Sequence, residues 1–81
     1  MKNENLLQLI PVYKVLEIED NVKYFVLLYA TYKGKTEYIF EREIEVSGYS
    51  EMLKYCLQAC RNFYNTNFEH ITFLDHQFKP E

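Results

Sequence analysis

One stretch, Tyr49 to Tyr64, limits the folds open to this chain more than any other. Tyr49, Met52, Leu53, Cys56, Leu57, Cys60, Phe63 and Tyr64 recur at spacings of three and four, which is the period of one helical face. Glu51, Lys54, Gln58, Arg61, Asn62 and Asn65 fall on the opposite side. A lone amphipathic helix has no second helix to close on. Its stripe needs a different surface, and everything before it reads as β-sheet.

Val12 to Ile18, Val22 to Tyr32 and Thr36 to Val46 are rich in β-branched and aromatic residues, as strands prefer. Glu19-Asp20-Asn21 and Lys33-Gly34 separate them as turns. Ser47-Gly48-Tyr49-Ser50 breaks the third strand and offers two serines as helix N-caps. Asn65-Thr66-Asn67 ends the helix, with Asn as its C-terminal cap. His70 to Leu74 reads as a short last strand, and residues 78–81 as a frayed tail. Residues 1–11 form a short helical turn or an arm, capped by Asn3 or Asn5 and stopped by Pro11. The expected fold is therefore α+β. It is a two-layer β-β-β-α-β domain, an antiparallel meander with one helix packed on one face.

The 81 residues leave room for one domain, 1–81, with no linker or repeat. So short a chain buries only about 60–65% of the surface exposed when unfolded. Eight Tyr and six Phe offset that limit, because each ring can bury about 150–250 Å². No apolar run approaches the roughly 20 residues of a membrane-spanning helix, and the apolar stretch after Asn5 is too short for a signal peptide. Two cysteines make no disulfide scaffold, so a cytoplasmic location is expected. The net charge of −3 speaks against a phosphate backbone as the direct partner.

Turn lengths set the register, and register decides which side chains share a face. With two-residue loops at Lys33-Gly34 and Asp20-Asn21, Val12, Leu16, Phe25, Leu27, Tyr29, Tyr38, Phe40 and Ile44 form the floor for the helix. The other face then carries Tyr13, Val15, Glu17, Tyr24, Val26, Leu28 and Ala30, beside Glu37, Ile39, Glu41, Glu43 and Glu45. An apolar, tyrosine-lined patch bordered by carboxylates suits a basic protein partner, which the acids steer and the tyrosines anchor. The plainer alternatives are that the N-terminal arm covers the patch, or that two copies pack sheet to sheet. Tyr55, the one aromatic the helical period turns outward, joins the candidate contact residues.

Alternate carboxylates on a strand lie about 6.5–7 Å apart, close to the spacing of successive phosphates. Glu37, Glu41, Glu43 and Glu45 could thus mimic a nucleic acid, although charged residues also commonly guard an edge strand against aggregation. In size and charge the chain resembles small acidic inhibitor proteins encoded by phages, a likeness that no motif carries.

Other chemistry has thinner support. Cys56-x3-Cys60 with His70-x5-His76 fits loose zinc spacing, but both cysteines lie in the apolar stripe, where Cys commonly packs as a small hydrophobe. No nucleophile–base pair, glycine-rich phosphate loop or metalloprotease motif is present, so no enzyme and no cofactor are expected. Lys33 and Lys35 at a hairpin tip, with Lys54, Arg61 and Tyr55 on the helix, make a small case for nucleic-acid binding. The leading expectation is a non-enzymatic protein-binding module, an inhibitor or adaptor.

Overall fold

The computed structural model describes residues 6–74, 76 and 77. Its elements are β1 (Leu6–Ile18), β2 (Val22–Tyr32), β3 (Lys35–Val46), α1 (Tyr49–Tyr64), β4 (His70–Phe73) and β5 (His76–Gln77). β1, β2 and β3 form the expected antiparallel meander. The sheet order is β3-β2-β1-β4, with β4 and β5 both parallel to β1. The helix lies across one face, giving the two-layer α+β fold. Among the described residues, no helix is long and apolar enough to cross a membrane.

The expected helical turn at residues 1–11 is corrected where it can be followed: Leu6–Pro11 is the first half of β1, and residues 1–5 lie outside the described residues. Leu7, Leu9 and Pro11 alternate inward with a period of two, and burial on that period overrides a weak helical preference. Pro11 also leaves a mark on the sheet. Pairing with β4 stops at Leu9–Phe73 and resumes with β5 at Val12–His76. The interruption falls beside a residue that has no N–H to give to a ladder.

The hairpin tip is as expected. Tyr32 pairs with Lys35, leaving Lys33 and Gly34 as the loop. Both have positive φ, 54° and 79°, the pattern of a type I′ turn, which suits a twisted hairpin. Lys33 is a poor residue there because its Cβ crowds the following carbonyl in the left-handed region. Lys33→Asn should raise the unfolding free energy by about 0.5–1 kcal/mol. A higher urea midpoint at unchanged slope would register it, and an unchanged midpoint would show that the position carries no strain.

Helix capping differs from expectation at one end. Gly48 is the N-cap, with no side-chain cap bond, so neither Ser47 nor Ser50 fills that role. Ser47 stands one residue too early and Ser50 lies inside the first turn. Glu51 in that turn complements the helix dipole. At the other end Asn65 adopts the left-handed conformation and its N–H reaches the Arg61 carbonyl, as its type favours.

The core lies between the sheet and α1. Leu7, Leu9, Val26, Leu28, Ala30, Met52, Cys56 and Cys60 are completely buried. Rings close the two ends of the layer. Tyr13 meets Tyr24 at 5.9 Å and Tyr49 at 5.5 Å near the helix start, while Tyr32, Tyr64 and Phe68 meet edge to face at 5.0–5.8 Å near its end. Such pairs add to simple burial.

Candidate functional site

Two bulges decide which residues the open sheet face presents. β2 and β3 keep the hairpin register as far as Tyr29–Tyr38, but Leu28 then pairs with Phe40, so Ile39 is an extra residue. A second shift between Val15 and Glu17 makes Leu16 extra in β1, and Ile18 pairs with Val22 across a three-residue loop rather than the expected two. A one-residue slip exchanges the faces of a strand. Tyr24, Val26, Leu28 and Ala30 therefore point at the helix and are buried, with Tyr13 beside them. The two-residue loops had placed them on the open face; the structure places them on the helix side.

The open face is instead built in cross-strand rows. Ile10, Tyr29 and Tyr38 form the first row. Val12, Leu27 and Glu41 form the second, and Lys14, Phe25 and Glu43 the third. Glu17, Lys23 and Glu45 close the end. Tyr29 and Tyr38 stack edge to face at 5.8 Å. Thr31 and Thr36 hydrogen-bond through their hydroxyls at 2.8 Å. Lys23 pairs with Glu17 at 3.6 Å. Ile10, Val12, Phe25, Leu27 and Tyr29 are half-buried, and Tyr38 is 53% exposed. The result is an apolar and aromatic strip flanked on β3 by Glu41, Glu43 and Glu45, all exposed.

Of the four expected carboxylates, Glu37 is the one displaced. The hairpin register keeps it opposite Ala30 on the helix side, where it pairs with Lys35 at 3.8 Å, while the bulge beyond it turns Glu41, Glu43 and Glu45 to the other face. A signal for the bulge was present in the sequence. Tyr38-Ile39-Phe40 is an unbroken apolar triplet between strand segments that otherwise alternate, and an extra inward residue resolves such a run.

Tyr55 does not stand free. Its hydroxyl accepts a 2.6 Å hydrogen bond from Arg42 Nη1, and its ring meets Phe40 edge-on at 5.7 Å. The Arg42 guanidinium lies 4.6 Å from the Phe40 ring centre. These contacts pin the helix to β3. Beside them lie two shallow depressions of about 200 and 300 Å³, which share Gln58 and Asn62. Arg61 lines the larger one. Of the other expected basic residues, Lys54 pairs with Glu51 at 3.3 Å and Lys33 lies 5.5 Å from the Tyr32 ring centre. With Lys35 held by Glu37, neighbouring acids partly neutralise this set.

The zinc candidates do not converge among the described residues. Cys56 and Cys60 are buried free thiols, and Cys56 Sγ lies 3.8 Å from Met52 Sδ. Burial pushes both up to about 12, which disfavours the thiolate a metal requires. His70 is exposed on β4, and the side chain of His76 lies outside the described residues. No group of three or more ligand-type residues is gathered among those described. Comparison with protein-family models, with curated proteins and with solved structures returns no match, so the meaning of the open face rests on its own chemistry.

Proposed function

We propose that the chain is a non-enzymatic protein-binding module whose docking surface is the open sheet face. One observation carries the reading. The helix covers only one side of the sheet, while the other holds a contiguous strip from Ile10 through Leu27 to Tyr38. Exposed apolar surface of that continuity marks interaction sites. Phe25, Tyr29 and Tyr38 are rings of the kind that anchor interfaces. Glu41, Glu43 and Glu45 favour a partner with basic groups along one flank, steering its approach more than setting its final affinity. An inhibitor or adaptor role fits this surface. Buried reduced thiols fit a reducing compartment such as the cytoplasm.

The test compares what is retained on immobilised wild-type protein with what is retained on Leu27→Asp and on Asn62→Asp, the last altered on the helix side. Proteins bound by the open face disappear with Leu27→Asp and persist with Asn62→Asp. Replacing Glu41, Glu43 and Glu45 together by Gln should slow association and flatten its salt dependence. A partner that binds Leu27→Asp undiminished would overturn the reading.

A further inference from the structure

We infer that the outer flank of α1 is a second binding site, a polar groove that takes a short acidic peptide segment in extended form. It lies on the helix side of the molecule, away from the open sheet face, and does not rest on the docking reading given for that face.

The two depressions beside α1 form one groove, because Gln58 and Asn62 line both. The smaller begins at Arg42 and Tyr55, and the larger ends at Arg61, Asn65 and Asn67. From Tyr55 to Asn65 the helix advances about 15 Å, the reach of about five residues of extended chain.

The charges of this groove point to its ligand. The chain has two arginines, Arg42 and Arg61, and both line it. Lys23, Lys35 and Lys54 are each paired with a carboxylate, whereas neither arginine has an ion-pair partner among the described residues. Arg42 gives one N–H to the Tyr55 hydroxyl. Arg61 Nε is buried and has no hydrogen-bond partner among the described residues, so no group of its own chain holds that guanidinium. No acid is among the residues that line the groove, and the sequence has none between Glu51 and Glu69. The Ile39 bulge completes the separation of charge. It turns Glu41 and Glu43 to the open face and leaves Arg42, between them, on the helix side opposite Val26. The C-terminal end of α1 carries about half a negative charge, which the full charge of Arg61 in the last turn outweighs.

The polar groups between the arginines favour a peptide. A guanidinium presents a planar fork of N–H groups that matches a carboxylate. Gln58, Asn62, Asn65 and Asn67 each carry a donor beside an acceptor, the same pair that a main-chain peptide unit offers. Gln58 Nε2 donates to Asn62 Oδ1 at 3.2 Å, which steadies both side chains and leaves Gln58 Oε1 and Asn62 Nδ2 for a ligand. Arg42 is held at the level of Tyr55, and Tyr55 and Arg61 stand about 9 Å apart along the helix axis. Acids at alternate positions of an extended peptide lie about 6.5–7 Å apart on one side, within the span of two arginine side chains. A single-stranded nucleic acid calls for a free ring face on which to stack. Tyr55, the aromatic residue of this groove, already meets Phe40 at 5.7 Å and holds Arg42 through its hydroxyl.

The test is the fluorescence anisotropy of a labelled heptapeptide alternating glutamate and serine, titrated with the full chain. Binding should appear at or below about 0.5 mM protein, and the same peptide with glutamine for glutamate should bind about tenfold more weakly or worse. Arg61→Gln should weaken binding about tenfold, and Arg61→Lys should restore only part of the loss, because an ammonium lacks the fork. Arg42→Gln should match Arg61→Gln, with circular dichroism confirming that α1 stays folded without the bond to Tyr55. Lys33→Gln removes the same charge at the hairpin tip and should bind the peptide as wild type does. Absence of binding to the glutamate peptide overturns the site. So does equal binding of the two peptides, or an Arg61→Gln variant that binds like wild type. A loss with Lys33→Gln as large as with Arg61→Gln would reduce the effect to general charge attraction and overturn it as well. A single-stranded oligothymidylate that binds more tightly than the glutamate peptide overturns the peptide reading and makes the groove a nucleic-acid site.

Discussion

Leu28→Ala is expected to lower the unfolding free energy by about 2–5 kcal/mol, whereas Leu27→Ala, one residue away, should cost about 1 kcal/mol or less in the monomer. The two side chains are identical in chemistry and differ in the face they occupy. Leu28 is fully buried under the helix, between Pro11 on β1 and Phe40 on β3. Removing its branch leaves a cavity in the close-packed layer between the sheet and the helix. Leu27 sits on the open face opposite Glu41, with solvent beside it. Domains of this size carry little reserve stability, so Leu28→Ala should be largely unfolded at physiological temperature. Urea titrations followed by circular dichroism would decide it. Equal losses at both positions would mean that the Ile39 bulge does not set the register described.

Alkaline solution should unfold the protein through its two thiols. Burial pushes Cys56 and Cys60 from the ordinary 9.0 up to about 12, and for Cys56 the neighbouring Cys60 adds to the effect. The folded state therefore holds protons that the unfolded state gives up. The sign follows from linkage. Below pH 8 both states keep these protons and the thiols add no pH dependence. As pH climbs from about 9 towards 12, ionisation of the unfolded chain draws the equilibrium over, by about 1.4 kcal/mol per thiol for each pH unit. Tyr64 works in the same direction at higher pH, since burial holds it up at about 12. A Cys56→Ala/Cys60→Ala variant should begin less stable, by about 1–2 kcal/mol per site, yet lose much less between pH 9 and 11. Parallel curves for the two proteins would contradict the buried placement of the thiols. At pH 8 a thiol-specific reagent should react with the native wild type only as fast as it unfolds.

How far the sequence discloses this molecule depends on how local each cause is. The helix from Tyr49 to Tyr64, the Lys33-Gly34 turn and the Asn65 cap follow from period and backbone preference within a few residues, and all three are found. The faces of the sheet follow from a running count, and one uncounted residue at Ile39 puts the two parts of β3 on opposite registers against β2. Glu41, Glu43 and Glu45 stayed on the open face because they lie on β3, beyond the bulge, with Phe40 and Ile44 correctly opposed to them. Tyr24, Val26 and Leu28, across on β2, changed sides. The pairing of β4 with β1 was not legible at all, because it joins residues more than 60 positions apart and no local pattern records a parallel neighbour.

That parallel neighbour has a consequence for synthesis. β1 occupies the interior of the sheet, yet one of its two flanks is completed by β4 and β5, near the end of the described chain. While the chain is being made, the meander of β1, β2 and β3 can form as soon as Val46 has emerged. During that interval Leu6 to Tyr13 display an unpaired edge of eight residues to whatever else is in the cell. The charges that guard β3 have no counterpart there, since Lys14 is the first charged residue after Leu6. A nascent chain stalled between residues 50 and 70 should thus be the form most prone to aggregation, and the one on which a strand-binding chaperone would act.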